Sequence, residues 1–368
     1  MSKPKVMLVC GARPNFMKIA PVMAAMKVSG KLLPFLVHTG QHYDEEMSQS
    51  FFDLLEIPRP DTNLEAGPGS HAAQTAHIMV EFEKVCIKEK PHLVVVVGDV
   101  NSTLACTIVA KKLWIPAAHI EAGLRSRDMN MPEEINRIVT DSITDLFFTT
   151  DPEGNRNLLH EGVERGNIHF AGNVMIDTLV RNRRKAAADP ILETLEVQPK
   201  KYCLLTMHRP SNVDDKATLK GLLEAFSYIQ EKIKVVYPAH PRALKMIEEF
   251  GFRPELDNMT NFHTCQPLNY HQLLRLNENS LFVITDSGGL QEETTVLGIP
   301  CITIRENTER PVTVSMGTNE VVGTKKEAIQ QAVNKILSGS WKKGNIPEGW
   351  DGKASQRIVK VIEEFLIQ

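Results

Sequence analysis

A chain of 368 residues is long enough for two domains of ordinary size. Its 42% hydrophobic and 24% charged content is that of a globular protein with ample core material. A net charge of −3 without a long basic run excludes the usual nucleic-acid binder, and no apolar run nears the roughly 20 residues of a membrane-spanning helix.

Along the chain, short β-branched runs alternate with longer helical stretches. Strands are expected at residues 6–10, 34–38, 93–97, 117–120 and 146–149, and again at 202–207, 234–237, 281–285 and 301–304. Most are continuously apolar, as strands of a parallel sheet covered on both faces must be. Helices are expected between them at 70–90, 101–113, 132–145, 217–232 and 289–297. The fold class is therefore α/β, with two Rossmann-like parallel-sheet domains. The polar stretch 173–201 separates the two series, which puts the N-terminal domain at 1–173 and the C-terminal domain at 174–351. Its basic cluster Arg181, Arg183, Arg184 and Lys185 reads as a solvated helix face. Ile358, Val361, Ile362 and Phe365 have helical spacing, so 352–368 is expected to form a helix that packs back on the N-terminal domain. Six scattered cysteines without a C-x-x-C pair suit buried free thiols in a reducing compartment. The start Met1-Ser2-Lys3-Pro4-Lys5 shows no signal-peptide cleavage pattern, and a cytoplasmic location is the expectation.

Ligands of parallel α/β sheets bind outside the carboxyl ends of the strands. Here those ends carry an unusual load of charge and glycine. The first series runs into Gly11-Ala12-Arg13-Pro14, Gly98-Asp99 and Glu121-Ala122-Gly123-Leu124-Arg125. The second runs into His208-Arg209, His240-Pro241-Arg242, Asp286-Ser287-Gly288-Gly289 and Arg305. Plain structural turns favour Gly, Pro, Asn and Asp, not this many Arg, Glu and His. Both halves are expected to serve one central cleft. Strand, glycine pair and helix start at Asp286–Gly289 is an arrangement that grips phosphate through unpaired amides. Glu292 and Glu293 follow it, and one of them is expected to face ribose hydroxyls instead. Arg13 and Lys18 could neutralise a diphosphate, although by themselves they read first as solvated charges of an N-terminal loop. Pro132-Glu133-Glu134 has a complete structural account as a helix start. G-x-G-x-x-G and G-x-x-x-x-G-K-[ST] are both absent, so NAD, FAD and P-loop chemistry are not expected. His38, His42 and Asp44 lack the helical H-E-x-x-H arrangement and read as loop residues, so no metal is expected.

Taken in order, Gly11-Ala12-Arg13-Pro14 with Lys18, Gly40-Gln41-His42, Gly98-Asp99, His119 through Arg125, Pro132 through Arg137, His208-Arg209, Asp286 through Glu293 and Thr308 through Pro311 resemble the non-hydrolysing UDP-N-acetylglucosamine 2-epimerases, relatives of the GT-B glycosyltransferases. The resemblance spans most of the chain. It implies a GT-B-like pair of domains, a homodimer, a UDP-sugar substrate, and no cofactor. It implies Asp99, Glu121, Glu133 and His208 as catalytic residues. It implies Arg13, Lys18, Gln41, His240, Ser287, Gly288, Gly289, Glu293 and Arg310 as substrate-binding positions. The family reaction eliminates UDP to give a 2-acetamidoglucal and adds it back with C2 inverted. Three motifs depart from the common bacterial pattern. Tyr43-Asp44 replaces Arg-Glu, Pro210-Ser211 replaces Arg-Glu, and Val312 stands where Glu is frequent. The alternatives are a sister epimerase on a modified UDP-sugar, a hydrolysing relative, a GT-B glycosyltransferase and a non-catalytic nucleotide-sugar sensor.

Overall fold

The structure, a computed structural model, describes residues 3–41, 54–57 and 59–367. The chain divides into two compact units, Met1–Thr178 with Glu348–Gln368, and Leu179–Pro347. The division falls inside a helix rather than in a linker.

The first unit holds a parallel sheet of seven strands in the order β3-β2-β1-β4-β5-β6-β7. These are β1 (Lys5–Cys10), β2 (Leu33–His38), β3 (Thr62–Asn63), β4 (Leu93–Val97), β5 (Ala117–Ile120), β6 (Leu146–Thr149) and β7 (Ile168–Phe170). β4, Leu-Val-Val-Val-Val, is buried at every position because helices cover both faces of the sheet. Helices α1 (Arg13–Ser29), α2 (His71–Glu89), α3 (Asn101–Lys112), α4 (Pro132–Ile143) and α5 (Pro152–His160) connect the strands. On one face, Met7, Val9, Val94 and Val96 pack with Ile78 and Phe82 of α2 and Val109 of α3. Fully burying such a side chain is worth roughly 1.5–3 kcal/mol, so this face is a large share of the unit's stability. The α2 sequence shows why it starts and stops where it does. Ser70 caps the Ala73 amide at 3.2 Å, and Lys90 ends the helix in the left-handed region at φ 48°.

Helix α6 (Val174–Ala187) contains the division between the units. The terminal helix, α12 (Ala354–Leu366), belongs to the first unit. Asp177 accepts the amides of Ala354 at 3.0 Å and Ser355 at 2.7 Å, which satisfies the start of α12. Trp350 donates its indole N–H to the Thr150 carbonyl at 2.9 Å.

The second unit holds six parallel strands in the order β10-β9-β8-β11-β12-β13. They are β8 (Tyr202–Thr206), β9 (Lys234–Pro238), β10 (Phe262–Cys265), β11 (Phe282–Thr285), β12 (Cys301–Thr303) and β13 (Asn319–Val321). The longer helices are α7 (Lys216–Gln230), α8 (Pro241–Glu249), α9 (Tyr270–Asn279), α10 (Gly288–Leu297) and α11 (Lys326–Leu337). Leu205, Val235 and Ile284 face Leu222, Phe226 and Ile229 on one side, and Leu204, Val236 and Val283 face Leu276 and Ile299 on the other.

Each strand order reverses direction once, between β1 and β4 in the first sheet and between β8 and β11 in the second. Such a reversal splays the loops apart at the carboxyl ends and opens a crevice for ligands. The fold alone therefore points to Gly11, Gly98, His208 and Asp286.

Among the described residues, no helix is long and apolar enough to cross a membrane. All six cysteines are free. Four strands have no counterpart among the sequence expectations: β3, β7, β10 and β13. They are the edges of the two sheets.

Candidate functional site

At the first reversal, the loop after β1 is tied to the end of β4. Asn15 Oδ1 accepts the amides of Gly11 at 3.3 Å and Ala12 at 3.0 Å, and its Nδ2 donates to the Val97 carbonyl at 3.0 Å. Arg13 opens α1, and its side chain lies outside the described residues. Lys18, on the second turn of that helix, is buried and forms an ion pair with Glu121. Glu121 follows β5 directly and sits at φ 71°, in the left-handed region that a residue with a side chain enters at a cost of roughly 1–3 kcal/mol. The amides of Glu121 and Ala122 both reach the Phe148 carbonyl, at 3.0 and 3.1 Å, and hold the turn. Gly98 lies against this pair. A Cβ on Gly98 would stand 3.2 Å from Lys18 Nζ and 3.6 Å from Glu121 Oε2, and the residue is at φ 70°. Both conditions call for glycine.

The neighbouring residue, Asp99, is partly exposed and bonded to Arg137 of α4 at 2.5 Å. Arg137 is buried and also holds Glu134 at 2.5 Å. Glu134 further accepts the amides of Ser126 at 3.0 Å and Arg127 at 2.8 Å. Burial raises the Glu134 pKa, but these amides and Arg137 outweigh it and hold the carboxyl below its ordinary value. Glu133 lies exposed on the same first turn, so the two adjacent carboxylates have separate environments.

Behind Gly98 stands a buried chain of polar groups. His119, fully enclosed in β5, faces the Gly98 carbonyl through Nε2 at 2.8 Å and Asp141 of α4 through Nδ1 at 2.7 Å. Asp141 also accepts the Gly123 amide at 3.0 Å and pairs with Arg125 at 2.8 Å. Burial pushes the Asp141 pKa up, but His119, Arg125 and the amide overcome this and leave it low. Gly123 is at φ 79°, and a Cβ there would strike the Gly154 carbonyl at 2.4 Å. Gln41 accepts from the amide and hydroxyl of Ser102, at 3.1 and 2.7 Å, at the start of α3.

At the second reversal, Asp286 is fully buried at the end of β11. It accepts the amides of His208 and Arg209, each at 2.9 Å, and pairs with His208 Nδ1 at 2.9 Å. Burial raises the Asp286 pKa, but the His208 contact and these amides win and hold it down. His208 is thereby oriented through one ring nitrogen while the ring stays partly exposed. Its ring lies 5.7 Å from that of His240, which caps α8 by accepting the Arg242 amide at 3.2 Å.

Ser287 is the N-cap residue of α10 and makes no side-chain cap bond. Ser287, Gly288 and Gly289 are partly exposed, so the first turn of α10 is accessible from outside. A Cβ on Gly288 would meet Glu309 Oε1 at 2.8 Å. Glu309 is buried, and burial alone would raise its pKa. Arg310, Arg305 and Arg209 prevail and pull it far below the carboxylate range. Arg305 approaches at 2.8 Å and Arg209 at 3.7 Å. Arg310 pairs with Glu292 at 2.5 Å. Glu293 takes a different course: it accepts from Tyr270 at 3.0 Å and Asn277 at 3.3 Å, and burial pushes its pKa up to about 7.

The structure thus gathers Lys18, Glu121, Gly98 and Asp99 at one strand-end cluster, and His208, His240, Ser287, Gly288 and Arg310 at strand and helix ends of the other unit. Sequence reasoning assigned no role to Arg137, Asp141, Arg209 or Glu309. One signal was available for the first two. Glu134, Arg137 and Asp141 fall at i, i+3 and i+7, a single charged stripe on α4, and that stripe is buried. His42 and Asp44 lie outside the described residues. Among the described residues, no group of three or more His, Cys, Asp or Glu gathers in a metal-binding arrangement.

Two doubly wound sheets with charge concentrated at both reversal points define the class: an α/β protein that presents polar groups to a ligand at its strand ends. The UDP-N-acetylglucosamine 2-epimerase family profile matches residues 24–363, and the chain belongs to that family. It is 40% identical to the UDP-N-acetylglucosamine 2-epimerase of Methanocaldococcus jannaschii, over 97% of this chain and 98% of that one. The solved structure of the M. jannaschii enzyme in complex with UDP-GlcNAc and UDP superposes with a TM-score of 0.90, covering 98% of this chain and 99% of that one. The chain is also 39% identical to the UDP-2,3-diacetamido-2,3-dideoxy-D-glucuronate 2-epimerase of Pseudomonas aeruginosa, over 98% of this chain and all of that one. A UDP-glucosyltransferase from Polygonum tinctorium, 14% identical with full coverage of both chains, shares the fold at a TM-score of 0.62.

Proposed function

We propose that this protein interconverts UDP-N-acetylglucosamine and UDP-N-acetylmannosamine by eliminating UDP and adding it back. The observation that carries the reading is the pair of carboxylates Asp99 and Glu121, held by Arg137 and Lys18 at the ends of the paired strands β4 and β5. The C2 proton of the sugar is not acidic, because C1 is an acetal carbon rather than a carbonyl. Direct removal would leave an unstabilised carbanion. In the elimination, a base takes the C2 proton, the C1–O bond breaks, and its electron pair leaves with the diphosphate. The reverse addition protonates C2 on the other face and re-forms C1–O. This requires titratable groups on opposite faces of the ring. Asp99, Glu121 and Glu133 are the proposed acid/base set.

The departing diphosphate needs preorganised positive charge. His208, with its exposed ring anchored by Asp286, and the amides of Ser287, Gly288 and Gly289 are suited to it. Arg13, Lys18, Gln41, His240, Glu293 and Arg310 are the remaining proposed substrate-binding or positioning residues. No step calls for a redox cofactor or a metal. A homodimer and a cytoplasmic location complete the reading.

The near-equal identity to the P. aeruginosa enzyme favours one second reading, a sister epimerase acting on a diacetamido-uronate. Proton NMR of the protein with UDP-N-acetylglucosamine in D2O separates them. UDP-N-acetylmannosamine carrying deuterium at C2 is the expected product. UDP with free N-acetylmannosamine would move the assignment to a hydrolase, and absence of turnover would move it to the modified sugar.

A further inference from the structure

The basic cluster on α6 is exposed, as expected of a solvated helix face, and part of it borders a hollow. Val180, Arg183, Arg184 and Ala187 fall at i, i+3, i+4 and i+7, so they form one stripe along the helix. That stripe faces Arg275, Glu278 and Asn279 of α9 across a hollow of about 600 Å³, all within the second unit. Facing helices normally close such a gap with apolar side chains. Here the facing stripes carry three guanidinium groups and one carboxylate. Arg183 takes the carboxylate, pairing with Glu278 at 2.6 Å. Lys200 donates to the carbonyls of Glu278 and Ser280, at 3.0 and 2.9 Å, and adds a fourth positive charge beside α9. Arg184 and Arg275 are left without an anionic partner among the described residues. Arg275 Nε is a buried donor with no hydrogen-bond acceptor. A buried donor left unpaired carries a desolvation cost, and native structures keep few of them.

We infer that this hollow is a binding site for the phosphate group of a small phosphorylated molecule, separate from the strand-end residues described above. Two uncompensated guanidinium groups on opposite walls suit a dianion with several acceptor oxygens, which each fork can engage through paired N–H groups. An anion between them offsets their mutual repulsion with two attractive contacts. The hollow is open to solvent and leaves room beyond a single phosphate. Val180, half exposed, and Ala187 give that remaining space an apolar edge.

The test is calorimetric titration of the full chain with inorganic phosphate, pyrophosphate and UDP in turn, using the wild type, Arg184→Met and Arg275→Met. For at least one of the three probes, both variants are expected to lose at least tenfold in the affinity of one binding event. The pattern then names the source: phosphate alone, a diphosphate, or a nucleotide. Binding to the nucleotide-sugar residues is unaffected by either substitution and forms the constant background. Raising the salt concentration should weaken the variant-sensitive event further. Arg184 is exposed, so Arg184→Met folds and decides the matter even if Arg275→Met does not. Equal affinities of wild type and Arg184→Met for all three probes would overturn the inference.

Discussion

Glu121 combines three features in one residue: a left-handed backbone, near-complete burial and an ion pair with Lys18. Strain and a desolvated charge both cost stability, and a purely structural position would have no use for either. The proposed role in proton transfer supplies one. Glu121→Gln and Asp99→Asn are therefore expected to lower kcat by roughly 10²–10⁴-fold, the usual worth of a positioned acid or base. UDP affinity, measured by calorimetry, should change less than threefold. A parallel loss of UDP binding in both variants would make these groups structural. Lys18 gives a second test at this scale. Lys18→Met leaves the Glu121 carboxylate buried without its ammonium, which costs about 3–5 kcal/mol in a urea melt. The Lys18→Met/Glu121→Met double variant should recover part of that loss. A Lys18→Met protein as stable as the wild type would show that the pair is not closed in solution.

At the scale of elements, α4 shows why some of the site was legible and some was not. The strand ends could be read directly: apolar runs break into charge and glycine at Gly98-Asp99 and Asp286-Ser287, and parallel sheets bind ligands there. α4 defeats the same reasoning. Its buried face carries Glu134, Arg137, Thr140 and Asp141, while Ile135 and Val139 point outward. Periodicity assigns apolar residues to the core, so it turns this helix the wrong way. Its partners are distant in sequence, as the pairings of Asp141 with His119 and of Arg137 with Asp99 illustrate. The unread edge strands fail for a related reason. β7 and β10 are short and only half buried, and they lack the continuous apolar run that marks a central strand. The inverted helix also makes a prediction. Asp141→Asn weakens the hold on His119 and on the Gly98 carbonyl, one residue from Asp99. It should lower kcat more than it alters UDP affinity, and it should cost about 3–5 kcal/mol because Arg125 and His119 lose a buried charge partner. His119→Gln, which keeps a donor for the Gly98 carbonyl, is expected to retain more activity than Asp141→Asn. Equal kcat in Asp141→Asn and wild type would remove the positioning role.

For the whole molecule, the buried carboxyls divide into two groups with opposite effects on stability. Asp141, Asp286, Glu134 and Glu309 are held below their ordinary values, so the folded chain releases their protons more readily than the unfolded one. The stability they provide is present above the ordinary carboxylate pKa and disappears as pH falls through their folded values. Glu293 behaves in the opposite sense. Burial lifts it from 4.5 to about 7, so between those values the folded chain keeps a proton that the unfolded chain has lost. Its contribution is complete below pH 4.5 and is lost as pH rises through 7. His38 and His169, both lowered by burial, bind fewer protons when folded and slope the other way near neutrality. The total profile mixes these signs, but the difference between wild type and Glu293→Gln isolates one group. The thermal midpoint of the wild type should fall relative to that of Glu293→Gln as the pH is raised from 5 to 7.5. Below pH 4.5 the two should run parallel, since the depressed carboxyls are common to both. A constant offset across the whole range would mean that Glu293 is ionised in the folded protein. The carboxylate would then be charged before any ligand arrives, and its burial against Tyr270 and Asn277 would cost folding stability rather than leave a neutral resting state.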